Sequence, residues 1–449
     1  MSMIEEALKS ATDTKACVIG PGAAEAAADM FRELFQGAGK AIVIEDPRTK
    51  AVAGDAVASR LKSAGVSVEE HVVNADGSDF HATYDKVDEV RNAIAASGGA
   101  VPVAVGSGTL NDLTKRGSSE LGVRYMVVGT AASMDGYTSY GASITKDGIK
   151  QTMACPAPLG CIVDSKVAAA APKEMVASGY ADLIAKVPAG ADWILADAIG
   201  SEAIHADAWR FVQGPLRDSL KNPALCAAGD IAETEKLCEG LVMSGFAMQA
   251  MGSSRPASGT EHQVSHYWDM EDLCFCGKPV SHGFKVGIGT LASTAIIEFL
   301  LERDLSAIDV AKTAAAWWPD FDTLAATFPA VYGNRPAHIV RATSEMKGKF
   351  PSREALAKEL AAVKNSWPEL SAKMRAQIMP FAEVHAALKE VGAPCEPEQI
   401  GVSRAKFRET LSGVPYMRNR YFSLDLVSRL GLLPELLDRL FGKGGVWEV

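Results

Sequence analysis

The chain changes character once, near Pro172, and that change limits the folds open to it. Before it, short apolar runs alternate with helical stretches. Ala16-Cys17-Val18-Ile19, Lys40 to Glu45, Val66 to Val73, Val101 to Val105 and Tyr125 to Val128 read as strands. Ala23 to Phe35, the stretch after Thr49 and Tyr84 to Ala96 read as helices. Strands that alternate with helices form parallel βαβ units. After Pro172 helical periodicity dominates, as in Ile288–Arg303, Ser306–Trp318, Arg353–Asn365 and Leu424–Phe441. The expectation is an α/β fold: a Rossmann-like parallel-sheet domain over 1–172 and an all-helical domain over 173–449. Ligands often bind in the cleft between two such domains.

Charge and apolar content exclude several classes of function. Forty-five Lys and Arg against 55 Asp and Glu give a net charge of −10, a poor field for nucleic acid. No membrane span is expected. The longest uncharged stretch, Asn92 to Asn111, is broken by Gly98, Gly99, Pro102, Gly106 and Gly108. The start, MSMIEEALKSATDTK, lacks the basic and apolar regions of a signal peptide. Eight scattered cysteines fit reduced thiols, and a cytoplasmic location is expected. The one close pair, Cys274-Phe275-Cys276, reads as two buried or half-buried thiols.

Two glycine loops invite a phosphate. Gly20-Pro21-Gly22 follows the first strand, but Glu25 stands where a third glycine would be. A carboxylate there repels a pyrophosphate, so a structural turn is favoured. Gly106-Ser107-Gly108-Thr109-Leu110 follows the strand Val101–Val105 and opens a helix, where small residues and a helix N-terminus suit an anion. Thr109 and Asp112 have the spacing of a capping box. A third, hydroxyl-rich loop runs from Gly129 through Thr130, Ser133 and Asp135 to Ser139. Loops at the ends of successive parallel strands line the edge where such sheets bind ligands. Asp46 ends its strand where an acid could meet a ribose hydroxyl; an exposed loop carboxylate is the competing reading.

Three of the eight histidines, His262, His266 and His282, fall within 21 positions. On a helix starting near Ser258, His262 and His266 share a face, and His282 precedes a strongly apolar helix. Two imidazoles on one face can bind a metal, or divide the work between ligand and proton carrier. Gln263 stands where a zincin peptidase needs Glu, which argues against that class. Asp182, alone among apolar neighbours in Gly179-Tyr180-Ala181-Asp182-Leu183, is the expected carboxylate of a mixed O/N site.

Gly106–Asp112, Thr130–Ser139, Gly179–Leu183, Ser254–His266 and His282–Gly287 together resemble the iron-containing alcohol dehydrogenase superfamily, whose fold is shared with dehydroquinate synthase. Within it they are most similar to the branch of the sn-glycerol-1-phosphate dehydrogenases. Ser254-Arg255-Pro256-Ala257-Ser258-Gly259-Thr260-Glu261-His262 is the most specific run; the tail around Val414–Phe422 fits less sharply. The resemblance implies that Asp182, His262 and His282 hold one divalent metal, with zinc preferred and nickel or iron as alternatives. It implies that Asp135, Asp182 and His266 contact substrate, with His266 and Asp135 as the catalytic pair. It also implies that Gly106, Ser107, Gly108, Thr109, Leu110, Thr130, Ser133 and Ser139 bind NAD or NADP, with Asp46 near the adenosine ribose. Lys186 occupies a position where typical iron alcohol dehydrogenases carry another His, so the three-His iron site is not expected.

The implied reaction is reversible hydride transfer between dihydroxyacetone phosphate and sn-glycerol 1-phosphate, in a homo-oligomer. Among cations near the matched segments, Arg255 ranks first for the substrate phosphate, ahead of Lys285, Lys150, Arg418 and Arg420. The alternatives are a dehydrogenase for glycerol or another polyol, a lyase of the dehydroquinate synthase type, and a non-catalytic nucleotide-binding protein.

Overall fold

Six short segments build one all-parallel sheet, five of them largely apolar and the sixth, Ser67–Val72, carrying Glu69, Glu70 and His71 at the edge. The computed structural model describes residues 2–146 and 149–449, without the side chains of 147–150. The strands of the N-terminal region are β1 (Ala16–Gly20), β2 (Lys40–Glu45), β3 (Ser67–Val72), β4 (Val101–Gly106), β5 (Met126–Gly129), β6 (Ala142–Lys146), β7 (Ile149–Met153) and β8 (Gly160–Asp164). The main sheet runs in the order β1-β8-β5-β4-β2-β3, and every pairing is parallel. β6 and β7 pair as a separate antiparallel hairpin.

The chain groups into two compact units. One comprises Met1–Leu183, Ala206–Pro256 and Glu390–Gly392; the other comprises Ile184–His205, Ala257–Lys389 and Ala393–Val449. The sheet ends at Asp164, close to the expected change of character. Yet the helices Ala206–Ser219 and Ile231–Met251, well past residue 172, belong to the unit that contains the sheet.

In the first unit, side chains leave each strand alternately, so the sheet has two apolar faces. Ala41 and Val43 of β2 join Phe31, Val57, Leu61, Val103, Val105 and Ile162 on one face. Ile42 and Ile44 join Val87, Val90, Ile94, Leu110 and Leu113 on the other. Each such buried aliphatic contributes roughly 1.5–3 kcal/mol relative to exposure.

The second unit is helical, apart from a hairpin of β9 (Cys274–Phe275) and β10 (Lys278–Pro279). Its central helix, His282–Leu301, is apolar on all sides and is long and apolar enough to cross a membrane. Its most apolar window is 83% buried within the protein, as expected of a core helix.

Several sequence expectations need correction. β8 was not anticipated: its five residues follow Pro156 and Pro158, and the run is too short to read without its neighbours. Ala23 to Phe35 is a 3-10 turn, Ala23–Ala26, followed by a helix over Ala27–Leu34. The expected helix Leu424–Phe441 is two, Ser423–Arg429 and Leu433–Phe441, parted at Gly431. Cys274 and Cys276 are exposed rather than buried, because they flank the tip of the small hairpin.

One buried acid is unusual. Glu45 closes β2 with no solvent exposure, and neither carboxyl oxygen has a hydrogen-bond partner. Burial pushes its pKa up to about 7, although Lys50, 3.3 Å away, pulls it down. The folded state therefore binds the proton more tightly than the unfolded chain, whose carboxyl titrates near its ordinary value of 4.5. Between those values the native state holds more protons, so stability falls as pH rises towards 7 and then levels. Relative to Glu45→Gln, wild type should lose on the order of 1–3 kcal/mol of stability between pH 5 and pH 8. Urea unfolding across this range checks it; parallel curves for the two proteins would contradict it.

Candidate metal and dinucleotide site

In the first unit the candidate loops leave one end of the sheet. β4 and β5 are neighbours, with Gly106 opposite Gly129, so the Gly106–Leu110 loop and the Thr130–Ser139 loop emerge side by side. From β2 the chain moves outward to β3, whereas from β4 it moves the other way to β5. The gap beyond β2 and β4 is thus a topological switch point, where open α/β sheets bind ligands. Asp46 follows β2 and Gly106-Ser107-Gly108 follows β4, so both flank it.

Ser107 is the N-cap of the helix Gly108–Glu120 and makes no side-chain capping bond. The first-turn N–H groups are therefore not satisfied by a cap, the condition an anion site needs. This corrects the expected capping box: Thr109 lies inside the helix, and Asp112 instead accepts the Ser143 N–H at 3.0 Å. Asp46 is itself a cap, accepting the N–H groups of Arg48 and Thr49, both at 2.8 Å and both on Oδ1. The Gly20-Pro21-Gly22 turn is structural, as expected. Its Gly22 N–H, and that of Ala24, donate to the Asp164 carboxylate at 3.0 and 3.2 Å.

The Thr130–Ser139 loop is held by a residue that sequence reading missed. Lys115 is buried, and its Nζ donates to the carbonyls of Gly136, Ser139 and Gly141 at 3.0, 2.9 and 3.0 Å. Ser139 donates its hydroxyl to Gly136 O at 3.0 Å. Thr130 is buried, and its N–H donates to Gly106 O at 3.1 Å, tying the two loops together. Ser133 is half-buried, and its carbonyl accepts the Ser178 hydroxyl at 3.3 Å.

Asp182 lies on the helix Lys173–Ile184, which crosses this loop at Gly179. A Cβ there would overlap the Ala132 carbonyl oxygen, so only glycine permits the approach. The result brings Asp182 to Asp135: the Asp135 N–H donates to Asp182 Oδ2 at 3.2 Å. Ser244, also missed from sequence, donates to Asp135 Oδ2 at 2.9 Å. Asp182 is fully buried and Asp135 half-buried. Arg255, the first-ranked phosphate cation, is fully buried, which removes the reading of it as a surface residue.

In the second unit three imidazoles gather. His262 and His266 lie one turn apart on the helix Thr260–Asp269, with ring centroids 6.3 Å apart. His282 begins the helix His282–Leu301, capped by the Ser281 hydroxyl, and its ring lies 5.4 Å from His262 and 6.4 Å from His266. Gly289 allows these helices to touch, since a Cβ there would overlap the Glu261 carbonyl oxygen. His262 is nearly buried, and its Nδ1 lies 2.8 Å from Glu261 Oε1.

His266 keeps 39% of its side chain open and places Nδ1 3.4 Å from Asp269 Oδ2. Desolvation lowers its pKa, Asp269 opposes this, and the Arg418 charge lowers it further. Water reaching the open edge of the ring limits the desolvation. Lys285 is buried and ion-paired with Asp269. Lys186 is also fully buried. Lys150, another candidate cation, has its side chain outside the described residues.

A concavity of about 760 Å³ in this unit, lined by Lys349, Lys358, Arg420 and Arg429 among others, has no histidine in its lining. Its cations already face the carboxylates of Asp425, Glu354, Glu202 and Glu359.

Comparison with known proteins adds an independent line. A family profile described as iron-containing alcohol dehydrogenase matches residues 18–172. The glycerol-1-phosphate dehydrogenase [NAD(P)+] of Halalkalibacterium halodurans is 35% identical over 57% of this chain and 64% of its own length. The protein of that name from Bacillus licheniformis is 29% identical over 91% of this chain and 87% of its own. Its counterpart from Methanothermobacter thermautotrophicus is 33% identical over 61% and 75%. The match thus spans a little under two thirds of the first relative's length. Among solved structures, maleylacetate reductase from Agrobacterium tumefaciens superposes with a TM-score of 0.59 over 97% of both chains at 17% identity, a likeness of fold.

The close crossing at Gly179 yields a test with a definite sign. In an ordinary helix interior Gly→Ala stabilises by about 1 kcal/mol. Gly179→Ala should instead destabilise by roughly 1–3 kcal/mol, because the new methyl group meets backbone that cannot yield. Urea unfolding measures it, and a more stable variant would contradict the crossing.

Proposed function

The chain belongs to the iron-containing alcohol dehydrogenase family, and on that premise we propose that it interconverts dihydroxyacetone phosphate and sn-glycerol 1-phosphate using NAD or NADP. The observation that carries the reading is the gathering of His262, His266 and His282 within the helical unit. Relatives named for that reaction, matched across both units, support the substrate.

Asp182, His262 and His282 are the proposed ligands, a donor set of the kind that could hold one ion. The chemistry of the set fits a divalent metal. Two neutral imidazole nitrogens and one carboxylate oxygen suit zinc, and leave coordination positions open for substrate. Nickel and iron accept the same donors. Asp182 is a buried carboxylate whose fixed charge would be matched by a cation. When bound, the metal would supply Lewis acidity at the carbonyl being reduced, and the nicotinamide the hydride.

The rest falls to the chain itself. Ser107, Gly108 and Thr109 offer first-turn N–H groups to the dinucleotide phosphates, with Gly106, Leu110, Thr130, Ser133 and Ser139 shaping the same bed. Asp46 keeps Oδ2 for a ribose hydroxyl while Oδ1 caps its helix. Asp135, steadied by Ser244, orients a substrate hydroxyl. His266 presents its open ring edge to the substrate, with Nδ1 turned to Asp269, and moves the proton at Nε2. Arg418, whose charge reaches His266, joins Arg255 as a cation for the phosphate, whereas Lys285 is committed to Asp269. The reading includes a cytoplasmic homo-oligomer.

Absorbance of NADH and NADPH with dihydroxyacetone phosphate, with and without a chelator, tests it. His262→Ala should lose metal and activity together. His266→Ala should keep metal and lose turnover by about 10²–10⁴-fold. Full activity of His262→Ala after chelation would contradict the metal assignment. Arg418→Ala should raise KM for the phosphorylated substrate more than for glycerol, and an unchanged ratio would remove it from the site.

A further inference from the structure

Within the helical unit, the turn that carries His262 is pinned by two buried carboxylates. Asp192, fully buried on the helix Lys186–Ala198, accepts four hydrogen bonds. Oδ2 takes the N–H and hydroxyl of Thr260 at 2.8 and 2.9 Å; Oδ1 takes the N–H and hydroxyl of Ser423 at 2.7 and 2.5 Å. Thr260 is the first residue of the helix that carries His262, so Asp192 fixes where that helix begins. Glu261, also fully buried, bends back to the same turn. Its Oε1 accepts the Gly259 N–H at 2.5 Å and meets His262 Nδ1 at 2.8 Å.

We propose that Glu261 is a positioning residue that sets the tautomer of His262: it takes the Nδ1 proton in a hydrogen bond, leaving the Nε2 lone pair as the metal donor. This rests on the metal assignment made above. The direction of the bond follows from the oxygen involved. Oε1 already accepts the Gly259 N–H, so it serves this turn as an acceptor, and the proton it shares with the ring is the one on Nδ1. A neutral imidazole has one protonated nitrogen, and whichever nitrogen donates elsewhere leaves the other free to ligate. Free imidazole has no fixed choice, and without Glu261 part of the population would carry its proton on Nε2, where it blocks the ligand position. A carboxylate behind a ligating histidine also raises its basicity, and losing such a partner typically costs about 10–100-fold in metal affinity.

Asp192 acts one step further back. It holds the Gly259–Thr260 turn so that Glu261 and His262 meet. The anchors lie on three separated segments, so the arrangement depends on the unit being folded rather than on the helix alone.

The test uses the intact chain, stripped of metal and titrated with Zn²⁺ against a chromophoric chelator. Wild type should bind one equivalent. Glu261→Gln keeps an acceptor but loses the charge and should bind about 10-fold more weakly; Glu261→Leu should bind about 100-fold more weakly. His262→Ala is the control for the metal assignment. If it loses the ion while both Glu261 variants bind as wild type does, Glu261 has no such role and the assignment stands. If His262→Ala also binds normally, the assignment itself has failed. A second measurement needs no substitution. In ¹⁵N-histidine-labelled apoprotein, His262 should show a protonated Nδ1 and an unprotonated Nε2; the opposite tautomer would overturn the proposal even if a Glu261 variant failed to fold.

Discussion

A carboxylate oxygen taken out of water is stabilised by donors, and the donors that meet Asp192 and Glu261 Oε1 set the geometry around His262. Asp192 and Glu261 are both fully buried, and each gathers N–H or O–H groups from the same turn. An isolated buried charge costs far more than one ordinary hydrogen bond contributes, so the donors cannot drift. The turn, the start of the helix and the imidazole are thereby set together. A buried charge of this kind contributes little net stability; what these hydrogen bonds fix is the position of the imidazole.

The first unit solves the same problem with a cation. Lys115 sits in the interior and satisfies its three protons with three carbonyls of one loop, so an irregular segment of small residues acquires a defined course. Gly179 then lets the Asp182 helix rest on that loop, and Asp182 receives the Asp135 N–H. Among the described residues eight buried carboxylates stand against five buried cations, Lys115, Lys186, Arg255, Lys285 and Arg429, so the surplus of acid that gives the chain its net charge of −10 extends into the interior.

What the sequence reveals follows from the range of the interactions. The βαβ region was legible because alternation and apolar runs are local signals: β2 lies at Lys40–Glu45 and the helix Tyr84–Ala96 where periodicity puts them. His262 and His266 share a face for the same reason. β8 was illegible because five residues after two prolines become a strand only when β1 and β5 flank them. Asp192 looks like any helix residue; its partners Thr260 and Ser423 are 68 and 231 positions away. Thr109 and Asp112 had the spacing of a cap, but tertiary contact won: Asp112 bonds Ser143, 31 residues on. Lys115 and Ser244 gave no local sign, since the backbone and carboxylate they hold come close only in the fold.

The proposed reaction needs a single ion held by the carboxylate of Asp182 and the imidazoles of His262 and His282. The most direct measurement is anomalous X-ray scattering at the zinc edge from crystals of the zinc-reconstituted protein. One strong peak is expected within bonding distance of all three side chains, approached by Nε2 of His262. A peak elsewhere, or none near these residues at full zinc loading, would contradict it.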